Sequence, residues 1–260
     1  SDSSVYTSSS PTSGKGGDGG AISLFTNSGS IFLTNSQFYG WTSPYFTADG
    51  GVGSAISIVT HSGNVNLIDS QLNSAAIGLD FFDDVFVGTA GTGGPILISA
   101  RGGAIAGRGS TLNSFAVSTE GGSENGGTVI LEANSGISGL TINTVASGGQ
   151  SGAVQVHGFG NLLIDSTNIK TAQVVEVCIF PPCAPGDFTL VPVEGQAGDV
   201  TVDGIGNLTF SNSVIQSDTR GSNPAGNITI TSPSIINFIN SQLTSDTSGI
   251  GNAGDVSITA

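Results

Sequence analysis

Positive charge is scarce in this chain. Five Lys and Arg residues stand against 19 Asp and Glu, which gives a net charge of −14 with neutral histidines. Nucleic acids and anionic lipid surfaces are bound through basic patches, so the composition argues against both as partners. The sequence also lacks a membrane-spanning apolar run, and no membrane insertion is expected in this segment.

The sequence also lacks the spacing of apolar residues that is typical of an amphipathic helix. The C-terminal part of the chain is built from repeats instead. Gly198 and Gly226 each open a unit of 28 residues, and Gly254 opens another. Each unit holds three short segments in which apolar and polar residues alternate, which is the pattern of strands with one buried face. In the unit that begins at Gly198 these segments are residues 200–202, 208–210 and 214–216.

These features predict an all-β fold, a parallel β-helix with three short strands per coil and no helices of note. A solenoid follows from the repeat because the apolar face of one unit is covered only by the next unit. The first-strand motif, a Gly or Ser followed by alternating apolar residues, begins at eight anchors: Gly20, Ser54, Gly94, Gly127, Gly152, Gly198, Gly226 and Gly254.

The seven intervals between the anchors predict about seven coils in a single solenoid over residues 1–260. They range from 25 to 46 residues, and a β-helix absorbs such insertions at its turns without disturbing the stacked strands. We expect insertions near residues 38–50, 75–93 and 172–196. Residues 2–7 match a third strand and the chain stops after a first strand, so an excerpt of a longer repeat array is expected.

A second repeated motif, Asn or Asp followed by Ser, lies in the later half of the units, and we call it the Asx-Ser mark. Asx residues tolerate left-handed backbone and bond their own main chain, so they suit a tight corner. Stacked from one unit to the next, they should also bond one another along the rod. The mark occurs at Asn35, Asp69, Asn212 and Asn240, with Asp165-Ser166 as a version one residue longer.

Three stretches carry a family resemblance: residues 226–230 (GNITI), 251–259 (GNAGDVSIT) and 198–202 (GDVTV). They resemble the repeats of cyanobacterial surface proteins related to filamentous haemagglutinin, the exoproteins of two-partner secretion. The likeness is close over residues 198–260 and looser upstream. It implies a right-handed β-helix, a location at the cell surface or outside the cell, and a role in adhesion or matrix building.

Three functions are compatible with this sequence. The first is a structural or adhesive extracellular rod that displays loops for attachment or matrix assembly, with glycans or surface proteins as partners. The second is a subunit of an extracellular filament, whose partners are further copies of the chain. The third is a polysaccharide-degrading enzyme, because such enzymes share the β-helix fold.

The sequence favours a protein without catalytic activity. Asp80, Asp83 and Asp84 form the richest acidic cluster, but it lies within one insertion, where aspartates are more often solvated than ligating. His61 and His157 follow their anchors by seven and five residues, so they should not stack into one site. We therefore expect no enzyme, no cofactor and no metal site.

The two cysteines, Cys178 and Cys183, lie close together in the longest interval. Such a pair suits a small disulfide ring in an oxidising compartment. A zinc site is the alternative, but it would need two further ligands nearby. The ring should restrict the loop locally rather than stabilise the whole fold, because closing a short loop adds little to the stability of the folded chain.

Residues 38–46 contain the only Trp of the chain and two of its three Tyr. We interpret them as an irregular loop that either folds back as a satellite core over the rod, which the sequence favours slightly, or uses Trp41, Tyr45 and Phe46 to stack on sugar rings or anchor a protein. Mutation of Trp41 should separate the two interpretations.

The outward middle position of the first strand is polar in six units but is Leu97 and Ile130 in two neighbouring ones. Stacked aliphatic residues on an outer face form a patch that needs a cover. The apolar insertion just before Leu97 predicts that Phe81, Phe82 or Phe86 folds over it. The alternative is that the patch contacts another chain.

Overall fold

The computed structural model describes residues 3–9, 17–42, 51–78, 90–118, 125–171, 175–178, 188–191, 195–219 and 222–260. Within these ranges the chain forms strands, turns and bends but no helix, so the all-β prediction is confirmed. This part of the chain accordingly has no helix with the length and apolarity needed to cross a membrane.

The strands are short, and most contain four or five residues. In chain order they are β1 (Ser3–Ser9), β2 (Ile22–Thr26), β3 (Ile31–Thr34), β4 (Ser36–Thr42), β5 (Ile56–Thr60), β6 (Val65–Ile68), β7 (Gln71–Gly78), β8 (Ile96–Ala100), β9 (Ala104–Ser118), β10 (Val129–Ala133), β11 (Gly136–Ala146), β12 (Val154–Gly158), β13 (Leu162–Asp165), β14 (Asn168–Thr171), β15 (Val175–Cys178), β16 (Phe188–Val191), β17 (Val200–Gly204), β18 (Leu208–Ser211), β19 (Val214–Ser217), β20 (Ile228–Thr231), β21 (Ile236–Ile239), β22 (Gln242–Thr244) and β23 (Val256–Thr259).

The first strands of the repeats form one eight-stranded parallel sheet. Its order is β2-β5-β8-β10-β12-β17-β20-β23, which is the chain order. Each repeat therefore adds one strand beside the strand of the repeat before it. Every anchor found in the sequence leads into one of these strands, so the predicted first strands are confirmed.

The second and third strands form a 13-stranded sheet, in which successive repeats again pair in parallel. In two middle repeats these strands are continuous and give the long β9 and β11. Gly109 and Gly139, both at φ 67°, stand in β9 and β11 where other repeats have their corner residue. Two parallel sheets that grow by one repeat at a time are consistent with a β-helix or a related solenoid.

The corner prediction is confirmed by the backbone. Left-handed φ angles of 47° to 50° occur at Asn35, Asp69, Asn212 and Asn240. The longer version differs, because Ser166 rather than Asp165 takes the left-handed conformation there. Corner side chains also bond along the repeats: Nδ2 of Asn212 donates to Oδ1 of Asp165 at 3.3 Å, and Nδ2 of Asn240 donates to Oδ1 of Asn212 at 3.5 Å.

The core is a stack of inward aliphatic side chains. In β10, β12 and β17 of the eight-stranded sheet, buried inward residues alternate with partly exposed outward residues, as the sequence pattern predicts. Burying one such side chain stabilises the fold by about 1.5–3 kcal/mol. The stack includes Ile56, Ile96, Val129, Val154, Val200 and Ile228, which are all nearly or fully buried.

Buried hydroxyl groups join the third strand to the anchor that opens the same repeat. Oγ of Ser114 donates to the carbonyl of Gly94 at 2.7 Å, and Oγ of Ser217 donates to that of Gly198 at 2.8 Å. At Gly127 the anchor leaves no room for a side chain, because a Cβ there would collide with the carbonyl of Gly94. Glycine at the anchor thus lets successive turns approach closely.

The predicted insertions need correction at their boundaries. Residues 38–42 belong to β4 and residues 75–78 belong to β7, so both strands continue where insertions were expected. The stretch 172–196 contains an antiparallel hairpin, β15 with β16, which the repeat pattern did not predict. An insertion has no neighbouring copy, so its strands lack the repeat signal.

Candidate functional site

Three first strands in the middle of the chain present ionisable side chains on their outward face. The fourth residues of β8, β10, β12 and β17 pair in register: Ser99 with Glu132, Glu132 with His157, and His157 with Asp203. Arg101 follows β8 and reaches Glu132. We call Arg101, Glu132, His157 and Asp203 the ionisable row.

Arg101 and Glu132 form a two-point ion pair. Nε of Arg101 donates to Oε2 of Glu132 at 2.9 Å and Nη2 donates to Oε1 at 3.2 Å, while Oγ of Ser99 donates to Oε2 at 2.7 Å. The guanidinium also lies 5.5 Å from the ring centre of Phe159. Hydrogen bonds from Arg101 hold the pKa of Glu132 below its usual value, although partial burial acts in the opposite direction.

His157 and Asp203 form the other half of the row. Nδ1 of His157 and Oδ1 of Asp203 are 2.5 Å apart, and both side chains are partly exposed, at 35% and 49%. An ionised carboxylate only accepts hydrogen bonds, so Nδ1 carries the proton. Among the described residues, Nε2 of His157 has no hydrogen-bond partner and stays available to a ligand.

The row is a local feature of the sheet. In the other first strands the same outward position holds apolar or hydroxyl side chains, in residues Phe25, Val59, Thr231 and Thr259. The sheet is the same throughout, since the inward residues remain aliphatic. The outward chemistry therefore changes at the row while the scaffold does not.

The predicted apolar patch lies beside this row. Leu97 and Ile130 pair in register, two residues before Ser99 and Glu132 on the same strands, and both are half-buried. Phe81, Phe82 and Phe86 lie outside the described residues. The cover by a phenylalanine ring stays a prediction.

The predicted aromatic loop is only partly a loop. Phe38 is buried in the core, and Trp41 lies half-buried in β4 beside Ala75 of β7. Tyr39 stacks on Tyr6 with ring centres 5.4 Å apart. The interpretation of 38–42 as an irregular loop is therefore wrong. Tyr45 and Phe46 lie outside the described residues, and their role in binding stays a prediction.

A row of amides follows the outer side of the third strands. Nδ2 of Asn113 donates to Oδ1 of Asn73 at 2.7 Å, and Nδ2 of Asn143 donates to Oδ1 of Asn113 at 2.8 Å. The amides bond one another from repeat to repeat, which gives them a structural role.

The remaining candidates fall outside this description. Cys183 lies outside the described residues, and only the backbone of Cys178 is described, so the disulfide stays a prediction. Asp80, Asp83 and Asp84 also lie outside them. Among the described residues, no group of three or more His, Cys, Asp or Glu side chains could hold a metal ion.

The ionisable row was missed at the sequence level, although a signal for it exists. Ser99, Glu132, His157 and Asp203 each follow their anchor by five residues. An equal offset from the anchor means an equal position in the stacked strands, so these side chains had to become neighbours. The two histidines differ in offset, whereas the carboxylates of Glu132 and Asp203 share the offset of His157.

Comparison with protein families, with curated proteins and with solved structures finds no match to this chain. Function is therefore inferred from the chemistry of the row and of the scaffold that holds it.

Proposed function

We propose that the chain is a right-handed parallel β-helix of about seven coils that works as an extracellular surface rod for attachment. The observation that carries this proposal is that, within the strands of the eight-stranded sheet, ionisable residues occur only at one outward position, in the neighbouring β10, β12 and β17. A stack of regular strands holds side chains at fixed spacings of about 4.8 Å along the stack. Such a scaffold suits the presentation of a binding surface.

Binding without catalysis is the better explanation of the row. The Asp203-oriented imidazole of His157 has the arrangement of a general base. Hydrolysis of a glycan also needs a proton donor for the leaving group. Glu132 is a poor donor, because the hydrogen bonds from Arg101 lower the pKa of its carboxyl group and keep it ionised.

Beads that carry the purified chain should test attachment. We expect them to be retained on surfaces coated with polysaccharide, without release of new reducing ends into the medium. Release of reducing ends would favour the enzyme instead. Absence of retention on every coated surface, whether polysaccharide or protein, would contradict the attachment function.

A further inference from the structure

We infer that the ionisable row, together with the ring of Phe159, is the attachment site and binds an uncharged glycan. This inference depends on the proposed attachment function. It specifies the surface of the rod that binds and the chemical class of the ligand.

The first argument is the mixture of donors and acceptors in the row. The Arg101 guanidinium donates, the carboxylates of Glu132 and Asp203 accept, and Nε2 of His157 has no partner among the described residues. A sugar hydroxyl group both donates and accepts a hydrogen bond. Neighbouring hydroxyls on a sugar ring can therefore be matched by donors and acceptors placed side by side.

The second reason is that the side chains of the row are already held in place before a ligand binds. Arg101 is fixed by its two bonds to Glu132 and by Phe159, yet its side chain remains 55% exposed. The Asp203 carboxylate likewise fixes the imidazole of His157. Side chains that are already ordered lose little entropy on binding, which matters for a shallow site with few contacts.

The third argument is the apolar flank. Phe159 follows β12 and Ile205 follows β17 at equivalent places, next to the row, and they are 37% and 71% exposed. Exposed aromatic and aliphatic groups beside hydrogen-bonding groups suit the apolar C–H faces of a sugar ring. The stacked strands also lie about 4.8 Å apart, so an extended polymer along the stack would meet a new side chain at each step.

Charge selects among the ligand classes. The chain carries a net charge of −14, and two carboxylates lie in the row itself, so acidic polymers are repelled. The row also adds little to stability, because ion pairs that solvent reaches contribute little to the free energy of folding. A network that contributes so little to the fold is better explained by recognition.

Calorimetric titration of the full chain with six-unit oligosaccharides of uncharged hexoses tests the inference. Arg101→Ala and Asp203→Asn should each weaken binding about tenfold, since the first removes the guanidinium donors and the second replaces a charged acceptor oxygen with an amide donor. The matched controls Arg108→Ala and Asp246→Asn change an exposed Arg and an exposed Asp away from the row. They should leave the dissociation constant unchanged, and all four variants should keep the circular dichroism spectrum of the parent chain.

Other outcomes overturn the inference in distinguishable ways. Preferential binding of uronic-acid oligosaccharides would contradict the ligand class. Equal binding by parent and row variants would show that the site lies elsewhere. If beads carrying the chain attach only to protein-coated surfaces, the glycan inference fails while the attachment function stands; if they attach to no surface, both fail.

Discussion

The middle repeats and the C-terminal repeats share their inward residues and differ outward. In the middle repeats, with first strands β8, β10, β12 and β17, the outward fourth position holds Ser99 and the three strand residues of the ionisable row. In the C-terminal repeats, with first strands β20 and β23, it holds Thr231 and Thr259. This difference indicates that the inward residues determine the fold, whereas the outward residues can carry a function.

The largest effect should come from the inward side. Phe210 is fully buried and stacks on Phe238 with ring centres 4.8 Å apart. Phe210→Ala should lower the free energy of unfolding by about 3–5 kcal/mol. Phe25 points outward and is 63% exposed, so Phe25→Ala should change it by less than about 0.5 kcal/mol. Equal losses in chemical denaturation would refute the inward–outward distinction.

The anchor glycine of the middle repeats gives the next effect. A Cβ on Gly127 would collide with the carbonyl of Gly94, whereas a Cβ on Gly20 would make only ordinary contacts with Thr7. Gly127→Ala should therefore destabilise the chain by about 1–3 kcal/mol. Gly20→Ala should have little effect on the thermal transition. A stable Gly127→Ala variant would mean that successive turns are less closely packed than described.

The corners of the C-terminal repeats should be sensitive to backbone conformation. Asn212 has a left-handed φ of 50°, and its amide bonds Asp165. Asn212→Ala should cost about 1–2 kcal/mol, because alanine disfavours that conformation. Asn212→Gly should restore most of the loss, since glycine adopts it freely. If both variants were equally destabilised in urea, the amide bond rather than the backbone would determine the corner.

The smallest stability effect should come from the row itself and should depend on pH. The pKa of Glu132 is lowered in the folded state, chiefly by hydrogen bonds from Arg101. Its contribution is therefore present above the pKa of an unfolded Glu and is lost as the pH falls through the lowered folded value. Urea titrations at a series of acidic pH values should show this decline in the parent chain and less of it in Glu132→Gln. Identical profiles would show that the ion pair does not stabilise the folded chain.

Part of the fold could be predicted from the sequence. Alternation marked the first strands, and the Asx-Ser mark located corners such as Asn35 and Asn240, because each signal is repeated at a fixed place in the unit. The continuity of β9 and β11 was not predicted, because Gly109 and Gly139 replace the Asx residue at their corners. The β15–β16 hairpin has no repeated copy that could reveal it.

The candidate site was less accessible to prediction than the fold. Glu132, His157 and Asp203 are separated by 25 and 46 residues in the sequence, and only the register of the sheet makes them neighbours. Their equal offset from the anchors was visible in the sequence. The side-chain bonds that turn this offset into a network, such as those from Ser99 and Arg101 to Glu132, became visible only in the structure.

The central claim is tested most directly by giving the middle repeats the outward chemistry of the C-terminal repeats. A variant that combines Arg101→Ser, Glu132→Thr, His157→Thr and Asp203→Thr leaves every inward residue in place. We expect it to keep the thermal transition and the circular dichroism spectrum of the parent chain, while its beads lose retention on polysaccharide-coated surfaces. Loss of the fold, or undiminished retention with the fold intact, would contradict the division between an inward scaffold and an outward binding row.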